Sequence, residues 1–270
     1  MTRLRSWYRE HGRHDLPWRA TRDRWAILVS EVLLHQTQVS RVLPAYGAFL
    51  ERFPTPGAAR AAGPGAVIEA WGRLGYPRRA RWLWEAADRI DREGWPEDLT
   101  TLAGVGRYTA AAVGALADDT DAIGIEVNIR RVCERSVGRR LTDREAEVEA
   151  TALVVGLRGR DRLLALMDLG ALVCTARNPQ CARCPIADRC ATRGPLAEET
   201  RHRQARYEGS FRQRRGIVLA RLRAGAVPTA ELDGEALASL LDDGLAEVTR
   251  GRAHLPRSPG SSPGGRARRR

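Results

Sequence analysis

Four cysteines within seventeen residues, Cys174-x6-Cys181-x2-Cys184-x5-Cys190, constrain this chain more than any other stretch. Thiolates are the ligands that soft metals select, so a group of four reads as a ligand set. Four-cysteine zinc sites also use a C-x2-C pair, but they commonly use two of them. Here one pair is flanked by gaps of six and five. That asymmetry suits a single 4Fe–4S cluster wrapped by one loop. A zinc site and a pair of disulfides remain open alternatives on spacing alone. Cys133 lies outside the group and reads as buried packing or a free thiol.

The chain of 270 residues is long enough for one large domain or two modest ones, and 43% hydrophobic residues support a core. No apolar run reaches membrane-spanning length. The first thirty residues are charged and lack the apolar centre of a signal peptide, which leads us to expect a cytoplasmic protein and, with nothing pointing to a partner copy, a monomer. The net charge of +12 calls for a polyanionic partner, with nucleic acid first among them. All 45 basic residues are arginine. No lysine amine is therefore present to form a Schiff base with a sugar aldehyde.

Up to residue 190 the pattern is all-α. Residues 1–19 suggest a short helix and then a turn at Asp15–Trp18. From Arg24 onward, Trp25, Leu28, Val29, Val32 and Gln36 recur at helical spacing and define a buried face. Glu31, His35 and Gln38 fall on a neighbouring stripe, where a carboxylate is either a solvated edge or a site. Helices are expected at 42–53, 65–74 and 78–93, with the basic turn Gly72–Arg79 carrying Tyr76. In Leu102-Ala103-Gly104-Val105-Gly106-Arg107-Tyr108, two glycines separate two short helices. Such a turn aims free backbone amides outward and suits a phosphate. Gly104, Gly106, Arg107 and Tyr108 are thus candidate DNA-contacting residues. Glu126 stands at the start of the next helix, where the dipole favours a carboxylate. Helices at 143–156 and 160–173 lead into the cysteine loop. A charged linker (196–215), a small winged-helix-like unit (216–256) with a hairpin at Glu247–Leu255, and a disordered basic tail (257–270) complete the chain.

Taken together, the cysteine loop, the two-glycine hairpin, Ser30–Val39, Leu74-Gly75-Tyr76 and Met167–Ala171 resemble the helix–hairpin–helix DNA glycosylases. Within them the sequence is most similar to the MutY-like adenine glycosylases, which act on adenine opposite 8-oxoguanine; the cysteine spacing is shared with endonuclease III. The likeness covers roughly residues 16–192. It implies two lobes with a DNA cleft, a six-helix barrel over about 20–127 and a cluster lobe of 1–19 plus 128–195. It implies a 4Fe–4S cluster on Cys174, Cys181, Cys184 and Cys190, and mismatched or damaged duplex DNA as partner. It implies that Glu31 protonates adenine at N7 and that Glu126 faces the oxocarbenium-like sugar. Gln36 and Tyr76 match positions that enter the base stack.

The sequence departs from that pattern. Glu126 stands where the family has Asp, and the extra methylene moves the carboxylate by about an ångström; Asp121 is a nearby, poorly aligned substitute. His35 replaces the first Gln of a Gln-Gln pair, and Ala103 replaces a Pro. The length leaves no room for a full Nudix-like C-terminal domain. Tyr108 stands where the lyases of this superfamily carry a catalytic lysine, and the chain has no lysine anywhere, so a monofunctional hydrolase is expected. A sister enzyme releasing thymine or uracil opposite guanine, and a DNA-binding paralogue weakened in catalysis, are the competing expectations.

Overall fold

The computed structural model describes residues 2–197 and 206–257. Twelve α-helices and one small sheet occur among them. Helix α1 (Arg3–His11) starts at Thr2, whose hydroxyl accepts from the Arg5 amide at 3.4 Å. The expected turn at Asp15–Trp18 is partly a short helix, α2 (Pro17–Ala20), because proline at the first helical position loses no hydrogen bond there. Helix α3 (Arg24–Leu34) buries Trp25, Leu28, Val29 and Val32 as the periodicity predicts. It stops before Gln36, which is exposed and left-handed at φ 53°. Helices α4 (Val39–Arg52), α5 (Pro56–Ala70) and α6 (Arg78–Glu93) follow. Gly63 (φ 84°, ψ 164°) is non-helical and divides this span, so a helical stretch from Pro56 precedes the one that starts at Pro64, next to the expected 65.

Helix α7 (Arg107–Asp118) leads to α8 (Val127–Val137), α9 (Asp143–Leu153) and α10 (Arg160–Asp168). One π-helical turn, Leu169–Val173, joins α10 to the cysteine loop. Helix α11 (Phe211–Ala224) begins inside the expected linker, because arginines spaced along it hide its apolar stripe of Val218, Leu219 and Leu222. After it come β1 (Val227–Pro228), α12 (Gly234–Asp242), β2 (Glu247–Thr249) and β3 (Arg252–His254). The sheet is antiparallel in the order β1-β3-β2, and β2 with β3 forms the hairpin expected at 247–255. The fold is thus largely α-helical with a small winged-helix-like unit. The expected linker between 198 and 205, and the tail from 258 onward, lie outside the described residues.

The chain forms two compact units, Met1–Glu31 with Val105–Arg203, and Val32–Gly104 with Gln204–Arg270. These bounds differ from the divisions at 19/20 and 127/128 that the resemblance implied. Helix α7 packs on α10 and so belongs with the cysteine-bearing unit. In that unit Asp168, fully buried, is clasped by two arginines. Arg19 donates to it at 2.6 and 2.8 Å, and Arg13 donates through Nε at 2.7 Å and through its backbone amide at 2.9 Å. Burial pushes the Asp168 carboxyl up, but the Arg19 and Arg13 charges outweigh it and hold the group below the usual range.

In the second unit α5 and α6 pack as a pair, and the C-terminal elements join them. Arg223 donates to the Ile68 carbonyl at 3.2 Å, and Arg78 and Arg215 both pair with Asp243. Gly65 is closed over by Pro256, whose carbonyl oxygen would lie 2.3 Å from an added Cβ. Backbone on backbone leaves no room to adjust. Gly65→Ala should therefore cost about 1–3 kcal/mol by overpacking, read as a lowered thermal midpoint. An unchanged midpoint would mean that the C-terminal segment does not rest on α5.

Candidate active site

Glu31 is the most unusual carboxyl in the chain. Helix α3 carries it into the interior, where the residue is 3% exposed, not on the solvated edge that the sequence also allowed. Burial raises its pKa to about 7; the Tyr108 hydroxyl hydrogen-bonds it and pulls the other way, Glu126 pushes it further up, and Arg19 pulls it down. The charge of Arg19 is already engaged by Asp168, which limits that last effect. The Tyr108 phenol is itself driven well above its usual value by burial and by the two glutamates, so it stays protonated; the Met167 sulfur, 3.6 Å away, is the alternative acceptor for its one proton.

Glu126 caps α8. Its carboxylate accepts from the Asn128 amide at 2.8 Å, the Asn128 side-chain amide at 2.9 Å and the Ile129 amide at 2.9 Å. The helix N-terminus favours the ionised form, while burial works against it and raises the pKa on balance, against the pull of the Asn128 and Ile129 amides and of Arg131. Two glycines, Gly124 and Gly170 of the Met167–Ala171 stretch, bring these parts together. At Gly124 a Cβ would meet the Tyr108 ring at 2.8 Å, and at Gly170 one would meet the Asn128 Cβ at 2.7 Å. Asp121 is occupied elsewhere: it accepts from the Gly159 amide at 2.6 Å and pairs with Arg162. It plays no part around Glu31.

In the turn before α7, Gly104 takes φ 73° and lies against Trp82, so a side chain there is excluded twice over. Gly106 is extended, and a Cβ on it would meet nothing. Only the first glycine is thus required by the backbone. Gly106 caps α7 without a side chain, and with exposed Arg107 beside it the first-turn amides are placed to meet an anion.

Gln36 and Tyr76 are both exposed and both left-handed, at φ 53° and 45°. For residues other than glycine that conformation costs about 1–2 kcal/mol each. Such strain persists where surrounding structure imposes it. His35, beside Gln36, has its pKa lowered by burial and by Arg79.

The four cysteines line one pocket together with Val132, Arg135, Val173 and Ile186. The five cysteines are free thiols among the described residues, and Cys133 is buried. Arg135 is fully buried and holds the loop at both ends. Its guanidinium donates to the Cys174 sulfur at 3.5 Å, the Thr175 carbonyl at 2.8 Å and the Ala176 carbonyl at 3.1 Å. Its own carbonyl accepts from the Thr192 amide at 3.3 Å. A soft donor set with a buried cation beside one sulfur fits an anionic iron–sulfur group. Arg177, Arg183 and Arg189 stand exposed on the outside of the loop.

This pocket is tied to Glu126. Arg131 donates to the Asn128 side-chain oxygen at 2.7 Å, the Gly170 carbonyl at 2.8 Å and the Cys174 carbonyl at 2.7 Å. Asn128 in turn donates to Glu126. One side chain separates the carboxylate from an arginine that grips a cysteine's backbone.

Comparison with known proteins places the chain in a family. Residues 29–155 match the HhH-GPD superfamily of base excision DNA repair proteins, and residues 174–190 match the iron-sulfur binding domain of endonuclease III. The adenine DNA glycosylase of Mycolicibacterium smegmatis is 44% identical over 91% of this chain and 92% of its own. This chain belongs to the adenine DNA glycosylase family. A second member, from Mycobacterium tuberculosis, is 42% identical over 94% of this chain and 93% of its own. Among solved structures, a thermostable thymine-DNA glycosylase superposes with a TM-score of 0.63 at 30% identity, over 70% of this chain and 92% of that one. An endonuclease III–DNA complex shares the fold, with a TM-score of 0.59 at 24% identity over 70% and 92%. The iron–sulfur match decides the loop against the zinc alternative.

Arg131 joins the cysteine loop to the capping carboxylate through Asn128. Groups that orient ligands from behind typically matter by about 10–100-fold. Arg131→Met should slow base release by about that factor and speed iron loss to a chelator, both in the same variant. Loss of iron with base release unchanged would show that the two are not joined.

Proposed function

We propose that this chain is a monofunctional DNA glycosylase of base-excision repair that removes adenine opposite 8-oxoguanine or guanine, and that its loop holds a 4Fe–4S cluster. The observation that carries the reading is Glu31, a buried carboxyl poised near pH 7 beside Tyr108 and Glu126. Glycosidic cleavage needs two carboxyls in different protonation states, and interacting acids share a proton as a pair. Glu126 already accepts three hydrogen bonds at a helix N-terminus, so the charge resides there and the proton on Glu31.

The target nucleotide must leave the duplex to be reached. Glu31 gives its proton to N7 of the flipped adenine. The C1′–N9 bond then breaks with its electron pair going to the base, which departs as neutral adenine. Glu126 stabilises the positive charge left on the sugar. Water adds to C1′ and its proton returns to Glu31. The phenol of Tyr108 holds the Glu31 carboxyl in place. With no lysine amine in the chain, the abasic sugar is released without strand cleavage. The four thiolates of Cys174, Cys181, Cys184 and Cys190 would hold the cluster, whose bound form orders the arginine-bearing loop. The exposed arginines and the α7 N-terminus meet phosphates. Its expected state is a cytoplasmic monomer.

A second reading is release of thymine opposite guanine. It is supported by 36% identity to the thymine-DNA glycosylase of Aeropyrum pernix over 70% of this chain. Duplexes with A opposite 8-oxoguanine, A opposite G, T opposite G and U opposite G separate the two. We expect breaks only in the adenine duplexes and only after alkali. Breaks at thymine would favour the second reading, and breaks without alkali would refute the monofunctional one. The acid must be protonated, so base release should fall about tenfold per unit above pH 7. Glu31→Gln should abolish release while keeping lesion binding. Glu126→Gln should be far slower than Glu126→Asp, and full activity in Glu126→Gln would remove that residue from the mechanism.

A further inference from the structure

Arg79 is 5% exposed, an unusual place for a guanidinium that faces no carboxylate in its hydrogen bonds. Its partners are backbone and hydroxyl oxygens of two separate loops. One terminal nitrogen donates to the carbonyls of Val32 at 2.6 Å and Leu33 at 3.2 Å, the last turn of α3. The other donates to the Thr37 hydroxyl at 3.0 Å and to the Gly75 carbonyl at 3.2 Å. The plane of the group lies 5.0 Å from the Trp71 ring and 5.5 Å from the Tyr76 ring. Trp71 reinforces the second loop by donating to the same Gly75 carbonyl at 2.9 Å.

These contacts bracket two residues. Gln36 lies between Leu33 and Thr37, and Tyr76 follows Gly75. Both are left-handed, exposed, and not glycine. A helix end offers carbonyls without intrahelical partners, and a planar fork with several donors satisfies them in one fixed geometry. Burial lowers the Arg79 pKa only to about 10, so the cation persists at neutral pH. An ordinary core contact would be served by an apolar side chain at no desolvation cost. A buried cation spanning two strained loops is suited to setting their geometry.

We infer that Arg79 is a positioning residue for lesion recognition, locking the α3 end and the 72–77 turn so that Gln36 and Tyr76 project together into the base stack. This rests on the reading of those two residues as the ones that enter the stack. Arg79 itself touches no DNA. Its substitution acts only through them, which distinguishes it from a residue that merely supports the fold.

The test is a double-variant cycle on the ratio of affinities for duplex bearing A opposite 8-oxoguanine and for undamaged duplex. Folding is followed by circular dichroism. Arg79→Lys should cut that ratio by about ten- to a hundredfold, the scale of a misplaced contact. Tyr76→Ala should cut it similarly, and the double variant should lose clearly less than the product of the two single losses, because contacts acting as one unit are not additive. A 2-aminopurine next to the lesion should lose its unstacking signal in all three. Thr37→Val, which removes one hydrogen bond, should give a smaller loss in the same direction; if Arg79→Lys does not fold, Thr37→Val replaces it in the cycle. An unchanged ratio in the folded variant, or losses that add, would overturn the inference. If wild-type protein discriminates and Tyr76→Ala discriminates equally well, the inference alone falls. If wild-type protein shows no preference for the lesion duplex, the functional reading falls and takes this inference with it.

Discussion

The cost of ionising one buried carboxyl organises the chemistry of this chain. Water would hold a glutamate ionised at neutral pH, whereas the interior around Glu31 does not. Most of the surrounding construction serves that single effect. Helix α3 is apolar on nearly every side where Glu31 sits. Arg19 is close enough to pull the proton away but is engaged by Asp168. Tyr108 offers a hydrogen bond without a charge, because its own burial keeps the phenol protonated. A lysine at that position would bring a charge that opposes the proton on Glu31 and a nucleophile for the sugar. The absence of lysine from the chain is therefore consistent with the rest of the site.

The second carboxylate is handled by the backbone. Glu126 spends its oxygens on the first amides of α8, so its position is fixed by the helix itself. If Glu126 takes the role proposed for it, this capping is how a longer Glu is held: the side chain folds back onto its own helix. Asn128 and Arg131 carry the same arrangement to the cysteine loop, and Arg135 holds that loop at both ends. The loop and the carboxylate thus share one helix. Arg131 and Asn128 give the route by which a change in how the cysteines are held would reach Glu126.

Much of this was legible before any coordinates. Cysteine spacing singled out the four residues that line one pocket, helical periodicity gave the buried face of α3, and the hairpin expected at 247–255 is the β2–β3 pair. Three features were not legible, each for a physical reason. Glu31 sits one step from an apolar face, and a periodic pattern cannot tell an edge from an interior when every neighbouring helix also packs there. The close approaches at Gly124 and Gly170 have no sequence signature, because they depend on which residue faces each glycine across the fold. Arg79 and Arg135 are two arginines among 45, and in so arginine-rich a chain burial of a cation leaves no trace in composition. The start of α11 was missed for the same reason, since charged residues interrupt its stripe.

The central claim is that Glu31 holds its proton at neutral pH because the fold desolvates it. Infrared difference spectra between wild-type protein and Glu31→Gln, taken across pH, read that proton directly. The account predicts a protonated carboxyl signal belonging to Glu31 at pH 6 that vanishes with a midpoint at about 7. A Glu31 signal already ionised at pH 6, titrating at about the ordinary glutamate value near 4.3, would contradict it.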